Sequence, residues 1–118
     1  MSELTQEKKE AIEVMDEYLD KLIPGIETAA QELEFDRKLD TDEFLKKCID
    51  GLNWVIEIYN RVSDVLGKGE EIVSKEEMNP VIMDLGNALQ DKEDIKIAEA
   101  LKEVIPFLKR IKAAIQAV

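Results

Sequence analysis

Histidine is absent from this sequence of 118 residues. Because histidine is the commonest general base and the commonest zinc ligand, its absence excludes Ser-His-Asp and Cys-His catalysis. It also excludes the usual di-iron site of helical bundles, which takes a Glu-x-x-His motif from each of two helices. We therefore expect a protein that is not an enzyme and that binds no cofactor.

Cysteine is nearly absent as well, and Cys48 is the single example. One cysteine cannot form an intramolecular disulfide, which agrees with a reducing compartment. No stretch approaches the roughly 20 apolar residues that a membrane span needs, and the N-terminal segment lacks the apolar run of a secretory signal. These absences predict a cytoplasmic protein that does not associate with membranes.

Positive charge and aromatic side chains are both scarce. The formal net charge is −11, and aromatic residues make up 5% of the chain. A strongly acidic chain is not expected to bind nucleic acid or anionic lipid, because both require concentrated lysine and arginine. The hydrophobic share of 45% is mainly aliphatic, and it is sufficient for one globular domain over residues 1–118.

Apolar residues return at alternating steps of three and four, which is the period of a buried helical seam. The first such segment runs from Leu4 to about Phe35, and Pro24 predicts a kink within it. Its seam comprises Ile12, Met15, Leu19, Leu22, Ile26, Ala29 and Leu33. The last segment spans about Lys92 to Ala117 with a bend expected at Pro106. Its seam comprises Ile97, Leu101, Val104, Leu108, Ile111 and Ile115.

The second helix is predicted from about Thr41 to Leu66, with a capping-box-like start at Asp40 and Glu43. Gly67-Lys68-Gly69 is predicted to cap its end. Its seam comprises Leu45, Ile49, Leu52, Ile56, Tyr59, Val62 and Leu66. The apolar arc is wider than this seam, which indicates contact with several neighbours. The residues that widen it are Phe44, Cys48, Val55, Ile58 and Val65.

The third segment, from about Glu70 to Gln90, has two competing starts. Ser74 with Glu77 forms one capping pattern, whereas Asn79-Pro80 supplies an asparagine cap with proline in the first turn. The segment is therefore either one kinked helix or two short helices split at Asn79-Pro80. Its helical spacing continues through Ile82, Leu85 and Leu89.

Four amphipathic helices joined by short connections place sequential neighbours antiparallel. The expected fold is therefore all-α, and its simplest closed form is an up-down-up-down four-helix bundle. The seven-residue period of the seams predicts helix axes that cross at about 20°.

Four carboxylates share one face of the first helix at relative positions 0, +3, +4 and +7, namely Glu13, Asp16, Glu17 and Asp20. This pattern resembles in outline the acidic helices of the all-helical nucleotide pyrophosphatases, which bind magnesium and substrate phosphates. The Glu-Glu-x-x-Glu motif of that family does not occur here. The resemblance implies a magnesium-dependent nucleotide phosphohydrolase as the alternative function. A solvated acidic face is the more common role of such a stripe.

Trp54 projects opposite the main seam of the second helix, at about 200° from Leu52 when each residue turns the helix by 100°. Either it covers an edge of the bundle beneath the first helix, or it anchors a partner. Tryptophan beside arginine and aliphatic residues is a frequent composition of interaction hot spots. The candidate partner interface comprises Lys47, Gly51, Trp54, Ile58, Arg61 and Val65.

These features favour a non-enzymatic, acidic interaction module, which binds a protein partner or associates with itself as a homodimer. Size, acidity and helix content resemble the bacterial export chaperones of flagellar and related secretion systems. That resemblance implies that the protein shields an aggregation-prone helical partner before export. An apolar groove that accepts an amphipathic helix would serve this function, and it would equally serve an adaptor.

Overall fold

The computed structural model describes residues 6–63, 66 and 73–116, and all regular secondary structure in these ranges is helical. Helix α1 spans Gln6–Glu34, α2 spans Thr41–Val62, α3 spans Lys75–Asp91 and α4 spans Asp94–Gln116. The all-α prediction is therefore confirmed. Among the described residues, no helix combines the length and apolar character that a membrane crossing requires.

The four helices form an antiparallel bundle in which α1 is central. Close backbone packing joins α1 with α2, α1 with α4, and α3 with α4. Ion pairs between Lys102 and Glu34 near one end and between Lys112 and Asp16 towards the other give α1 and α4 opposite directions. The long dimension of 46 Å agrees with the ~43 Å rise of a 29-residue helix such as α1. The predicted four-helix bundle is confirmed.

The predicted apolar seams of α1 and α4 form the centre of the core. Every seam residue predicted on these two helices is buried, and Met15, Leu19, Leu101 and Leu108 have no exposed surface. Cys48 is buried among the same side chains, and burial raises the pKa of its thiol. A neutral, buried thiol is a small apolar core residue rather than a nucleophile.

Helix α3 begins at Ser74 and remains a single helix through Pro80. The Glu77 amide donates to the Ser74 hydroxyl at 3.1 Å, and the Ser74 amide donates to the Glu77 carboxylate at 3.0 Å. This reciprocal capping box satisfies two amides at the helix start. The start at Ser74 is therefore the correct alternative, and the split at Asn79-Pro80 does not occur. Helices α1 and α4 likewise continue past Pro24 and Pro106.

The connection between α1 and α2 differs from its prediction, because the Asp40 side chain makes no capping hydrogen bond. Thr41 holds the turn instead. Its hydroxyl accepts from the Lys38 amide at 2.7 Å and donates to the Glu32 carboxylate at 2.8 Å. A hydroxyl can accept and donate at the same time, so Thr41 links the end of α1 to the start of α2 while remaining fully buried.

The ends of α2 and α3 follow different rules. Helix α2 ends at Val62, about one turn before the predicted Leu66, and the predicted cap Gly67-Lys68-Gly69 lies outside the described residues. Helix α3 ends at Asp91, and the following residue, Lys92, adopts the left-handed conformation with φ of 55°. The Lys92 amide donates to the Leu89 carbonyl and the Glu93 amide to the Ala88 carbonyl, both at 3.3 Å. This is the Schellman pattern of helix termination.

Candidate interaction surfaces

Trp54 lies partly buried at the contact between α2 and α1. Its ring meets the ring of Tyr18 edge to face, with centroids 5.4 Å apart and an angle of 83° between the planes. Tyr18 reaches this position because Gly51 has no side chain. A Cβ atom built on Gly51 would collide with the Tyr18 hydroxyl and would lie 2.8 Å from its Cζ. The space that Gly51 leaves beside Trp54 is therefore filled by Tyr18.

The two aromatic rings form the wall of a shallow pocket of about 570 Å³, which we call the Trp54 pocket. Its lining residues are Val14, Tyr18, Lys47, Asp50, Gly51 and Trp54. Val14 is 53% exposed, so the pocket offers apolar surface to solvent. Burial raises the pKa of Tyr18, with smaller contributions from the Cys48 and Asp50 side chains. The phenol is therefore neutral at physiological pH.

The structure divides the partner interface that the sequence suggested. Lys47, Gly51 and Trp54 meet around the Trp54 pocket. Ile58 is buried, whereas Arg61 is exposed with its guanidinium 3.9 Å from the Glu57 carboxylate. Val65 lies outside the described residues. Three of the six predicted interface residues therefore lie together around the Trp54 pocket. That this group binds a partner remains a prediction.

A second apolar surface lies between α2 and α3, where the backbones approach each other much less closely than at the other neighbouring pairs. We call it the α2–α3 cleft and define it by Ile49 and Ile56 on α2 and by Met78, Ile82 and Leu89 on α3. Four of these residues, all except Met78, are only partly buried. These four seam residues pack against the core and keep part of their surface exposed.

One end of the cleft opens into a cavity of about 260 Å³. Its lining includes Ile56, Tyr59, Asn60, Val73, Met78, Asn79 and Ile111. The Tyr59 hydroxyl accepts from the Val73 amide at 3.0 Å and lies 3.3 Å from the Val73 carbonyl, to which it donates. This pair of hydrogen bonds ties the C-terminal half of α2 to the residue before Ser74, at one wall of the cavity.

Exposed asparagine side chains lie near the apolar residues of the cleft on both helices. Asn53 and Asn60 follow Ile49 and Ile56 at a spacing of four, which places each asparagine beside its isoleucine on the same helix face. Asn79 lines the cavity from α3. All three asparagines are exposed.

The groove between α3 and α4 has the opposite character. Its lining includes four carboxylates and one lysine, namely Asp84, Asp91, Glu99, Glu103 and Lys96. Acidic residues that face water are the usual state of a helix surface in a chain with 36% charged residues. By contrast, the described residues that line the cavity at the end of the α2–α3 cleft are uncharged, and depletion of charge is typical of the buried centre of a protein interface.

The four α1 carboxylates do not form one cluster. Lys112 of α4 lies 2.9 Å from Asp16 and 2.6 Å from Asp20, and the two carboxylates raise the pKa of its ammonium group. Glu13 and Glu17 are exposed. In the described part of the chain, no three carboxylates or thiols come close enough to share a metal ion. The phosphohydrolase alternative therefore remains a prediction from the sequence pattern alone.

Two further apolar side chains stand in the α1–α2 connection. Phe35 is 81% exposed, and Leu39 is fully exposed. Between them, Arg37 donates to Asp94 at the start of α4 at 2.9 Å and to Asp42 of α2 at 2.8 Å. The connection is therefore anchored to two helices while its apolar side chains point to solvent.

Sequence reasoning did not identify the cleft, although a signal was present. Ile49 with Asn53 and Ile56 with Asn60 repeat after seven residues, so an apolar and an amide column run side by side along α2. The isoleucines were assigned to the core because their spacing is that of the seam. Spacing alone does not distinguish a seam that a neighbour covers from one that it leaves open.

Comparison with known proteins identifies a family. The chain belongs to the family described as Domain of unknown function (DUF8042), whose family model matches residues 10–114. No curated protein and no solved structure matches the chain. The matched segment contains the Trp54 pocket and the described residues of the α2–α3 cleft, so both surfaces belong to the family domain.

Proposed function

We propose that this member of the DUF8042 family is a non-enzymatic, cytoplasmic protein-interaction module that binds an α-helical surface in the α2–α3 cleft. The observation that supports the proposal is the incomplete burial of Ile49, Ile56, Ile82 and Leu89. These side chains have the spacing of core residues and pack against the core, yet part of their surface stays exposed. A helix laid into such a groove with apolar residues at the same period would complete their burial.

The free energy available from this burial is small. Complete burial of an Ile or Leu side chain contributes about 1.5–3 kcal/mol. Side chains that are already largely buried gain roughly a third of that, so the four residues contribute about 2–4 kcal/mol on one side of the contact. A partner adds a similar amount from its own apolar face, and the loss of translational and rotational freedom opposes both. The module should therefore bind reversibly rather than permanently.

Site-specific photocrosslinking in the source cell tests the proposal. A photoreactive amino acid replaces Asn60 or Asn79 at the cleft, Lys47 beside the Trp54 pocket, or Gln31, which is exposed on the outer face of α1. We expect protein adducts from the two cleft positions and none from Gln31. Adducts from Lys47 alone would move the function to the Trp54 pocket. Absence of adducts from every position would refute the interaction module.

A further inference from the structure

We infer that α3 is a lid, which opens by local unfolding while α1, α2 and α4 stay folded. The inference concerns a conformational device of the fold and goes beyond the proposed function, since it needs no partner. Four properties of α3 lead to it: its small share of the core, its few contacts, the charges along the groove beside it and the anchoring of the chain at both of its ends.

The first property is the small share of the core that α3 supplies. Helices α1, α2 and α4 each contain nine buried residues, whereas α3 contains three, namely Met78, Leu85 and Ala88. Each of these three keeps some exposed surface, while every other helix has side chains with none. Hydrophobic stabilisation is roughly proportional to the apolar area removed from water. Separation of α3 from the core therefore costs less than separation of any other helix.

The second property is the small number of contacts that hold α3. In the described part of the chain, α3 packs closely against α4 alone. Its interior contains Pro80 and Gly86, and both residue types lower the stability of a helix. The Glu77 carboxylate lies 3.2 Å from the Arg110 guanidinium of α4, with both side chains nearly half exposed. Exposed ion pairs contribute little to stability, so this contact does not make up for the small buried surface.

The third property is the charge along the groove between α3 and α4. Asp84 and Asp91 line the groove from α3, and Glu99 and Glu103 line it from α4. A single lysine, Lys96, lines it with these four carboxylates. Like charges on facing helices repel each other, and solvent and salt weaken the repulsion without reversing its sign. The closest neighbour of α3 therefore also carries charges that favour its opening.

The fourth property is the anchoring of the chain at both ends of α3. Before the helix, the Tyr59 hydroxyl of α2 makes hydrogen bonds with the amide and the carbonyl of Val73. After it, Arg37 in the α1–α2 connection donates to Asp94 at the start of α4. Neither contact involves α3, so both remain when α3 unfolds. The chain thus opens between two fixed points, and opening uncovers Ile111 of α4, which lines the cavity beside α3.

Hydrogen exchange of backbone amides, followed by NMR on the purified full chain at low urea concentrations, tests the inference. Amides in the middle of α3, such as those of Ile82 and Leu85, should be protected at least about tenfold less than the most protected amides of α1 and α4. Their exchange should also depend less on urea, because opening of one helix exposes less surface than global unfolding.

Two alanine variants separate local opening from global unfolding. A methyl group at Gly86 meets nothing within 4 Å, so Gly86→Ala stabilises closed α3 and should slow exchange about fivefold in all four helices. Gly51→Ala acts on Tyr18 at the contact between α2 and α1, which stays intact when α3 opens alone. It should speed exchange at least about twofold in α1 and α4 and leave exchange in the middle of α3 unchanged.

Acceleration of α3 exchange by Gly51→Ala to the same extent as in α1 and α4 would show that α3 unfolds only with the whole protein, and it would overturn the inference. Equal protection of all four helices in the wild-type chain would overturn it as well. The proposed function fails by a different result, the absence of photocrosslinked adducts, so the two failures are distinguishable.

Discussion

Replacement of Gly51 by alanine should destabilise the protein, although the same change in the middle of a helix normally stabilises it. Alanine is favoured over glycine by about 1 kcal/mol in a helix interior. At Gly51, however, the new methyl group would occupy the place of the Tyr18 hydroxyl and ring edge, with Cζ 2.8 Å away and Cε2 3.0 Å away. Real Cβ atoms do not approach aromatic carbons so closely, so Tyr18 must leave its position.

The size of the effect follows from what Tyr18 loses. Displacement of the ring breaks the edge-to-face contact with Trp54, and such a pair contributes about 0.5–1.5 kcal/mol beyond its buried area. Forcing extra volume into a packed contact costs about 1–3 kcal/mol. After subtraction of the helix-propensity gain of about 1 kcal/mol, we expect Gly51→Ala to lower the free energy of unfolding by about 0.5–3.5 kcal/mol.

Gly86→Ala is the matched control, because a Cβ at this exposed mid-helix glycine of α3 meets nothing within 4 Å. It should raise the free energy of unfolding by about 1 kcal/mol. Urea unfolding followed by circular dichroism and by Trp54 fluorescence measures both variants. In a Tyr18→Ala background Gly51→Ala should become stabilising, which isolates the coupling between the two sites. Stabilisation by Gly51→Ala in the wild-type background would refute the reasoning.

Two further predictions concern the helix ends. Lys92→Gly should raise the free energy of unfolding by about 1 kcal/mol, because Lys92 holds the left-handed conformation that glycine adopts without strain; Lys92→Ala keeps the strain and should give no such gain in the same urea experiment. The Ser74 amide and the Arg110 guanidinium hold the pKa of the Glu77 carboxyl below its ordinary value of 4.5. A carboxyl with a lowered folded pKa contributes stability above its unfolded pKa and loses it as the pH falls through the folded pKa. Glu77→Gln should therefore be less stable at neutral pH and should lose less stability on acidification; urea midpoints measured between about pH 7 and pH 3 that fall in parallel for both proteins would contradict this account.

The part of the fold that was predicted correctly is the part that depends on period alone. The spacing predicts the seams of α1 and α4 correctly, because each of these helices packs against two others. Every residue of the two seams is therefore buried. The start of α3 at Ser74 was one of two alternatives, and local hydrogen bonding decides between them: the Ser74 hydroxyl and the Glu77 carboxylate cap each other's amides, and proline is tolerated two turns later.

The predictions that were wrong or incomplete depend on contacts with residues outside the local sequence motif. Aspartate is favoured at the N-cap position that Asp40 occupies. The Thr41 hydroxyl, however, donates a hydrogen bond to the Glu32 carboxylate, and in the resulting turn the Asp40 side chain makes no capping hydrogen bond. Gly51 leaves a gap beside Trp54, and the residue that fills it, Tyr18, belongs to another helix. A local sequence pattern does not identify a contact residue that lies on another helix.

The sequence by itself determined that this protein is helical, acidic and built from amphipathic segments, because hydrophobic period, charge and capping are properties of consecutive residues. Only the tertiary structure decided which seam residues keep part of their surface exposed to solvent. Leu19 on α1 and Ile56 on α2 carry the same periodic signal and differ only in their surroundings. Leu19 lies between two neighbouring helices, whereas Ile56 faces the gap between α2 and α3. Burial depends on the distance between helix axes, and that distance is set by the packing of the whole bundle.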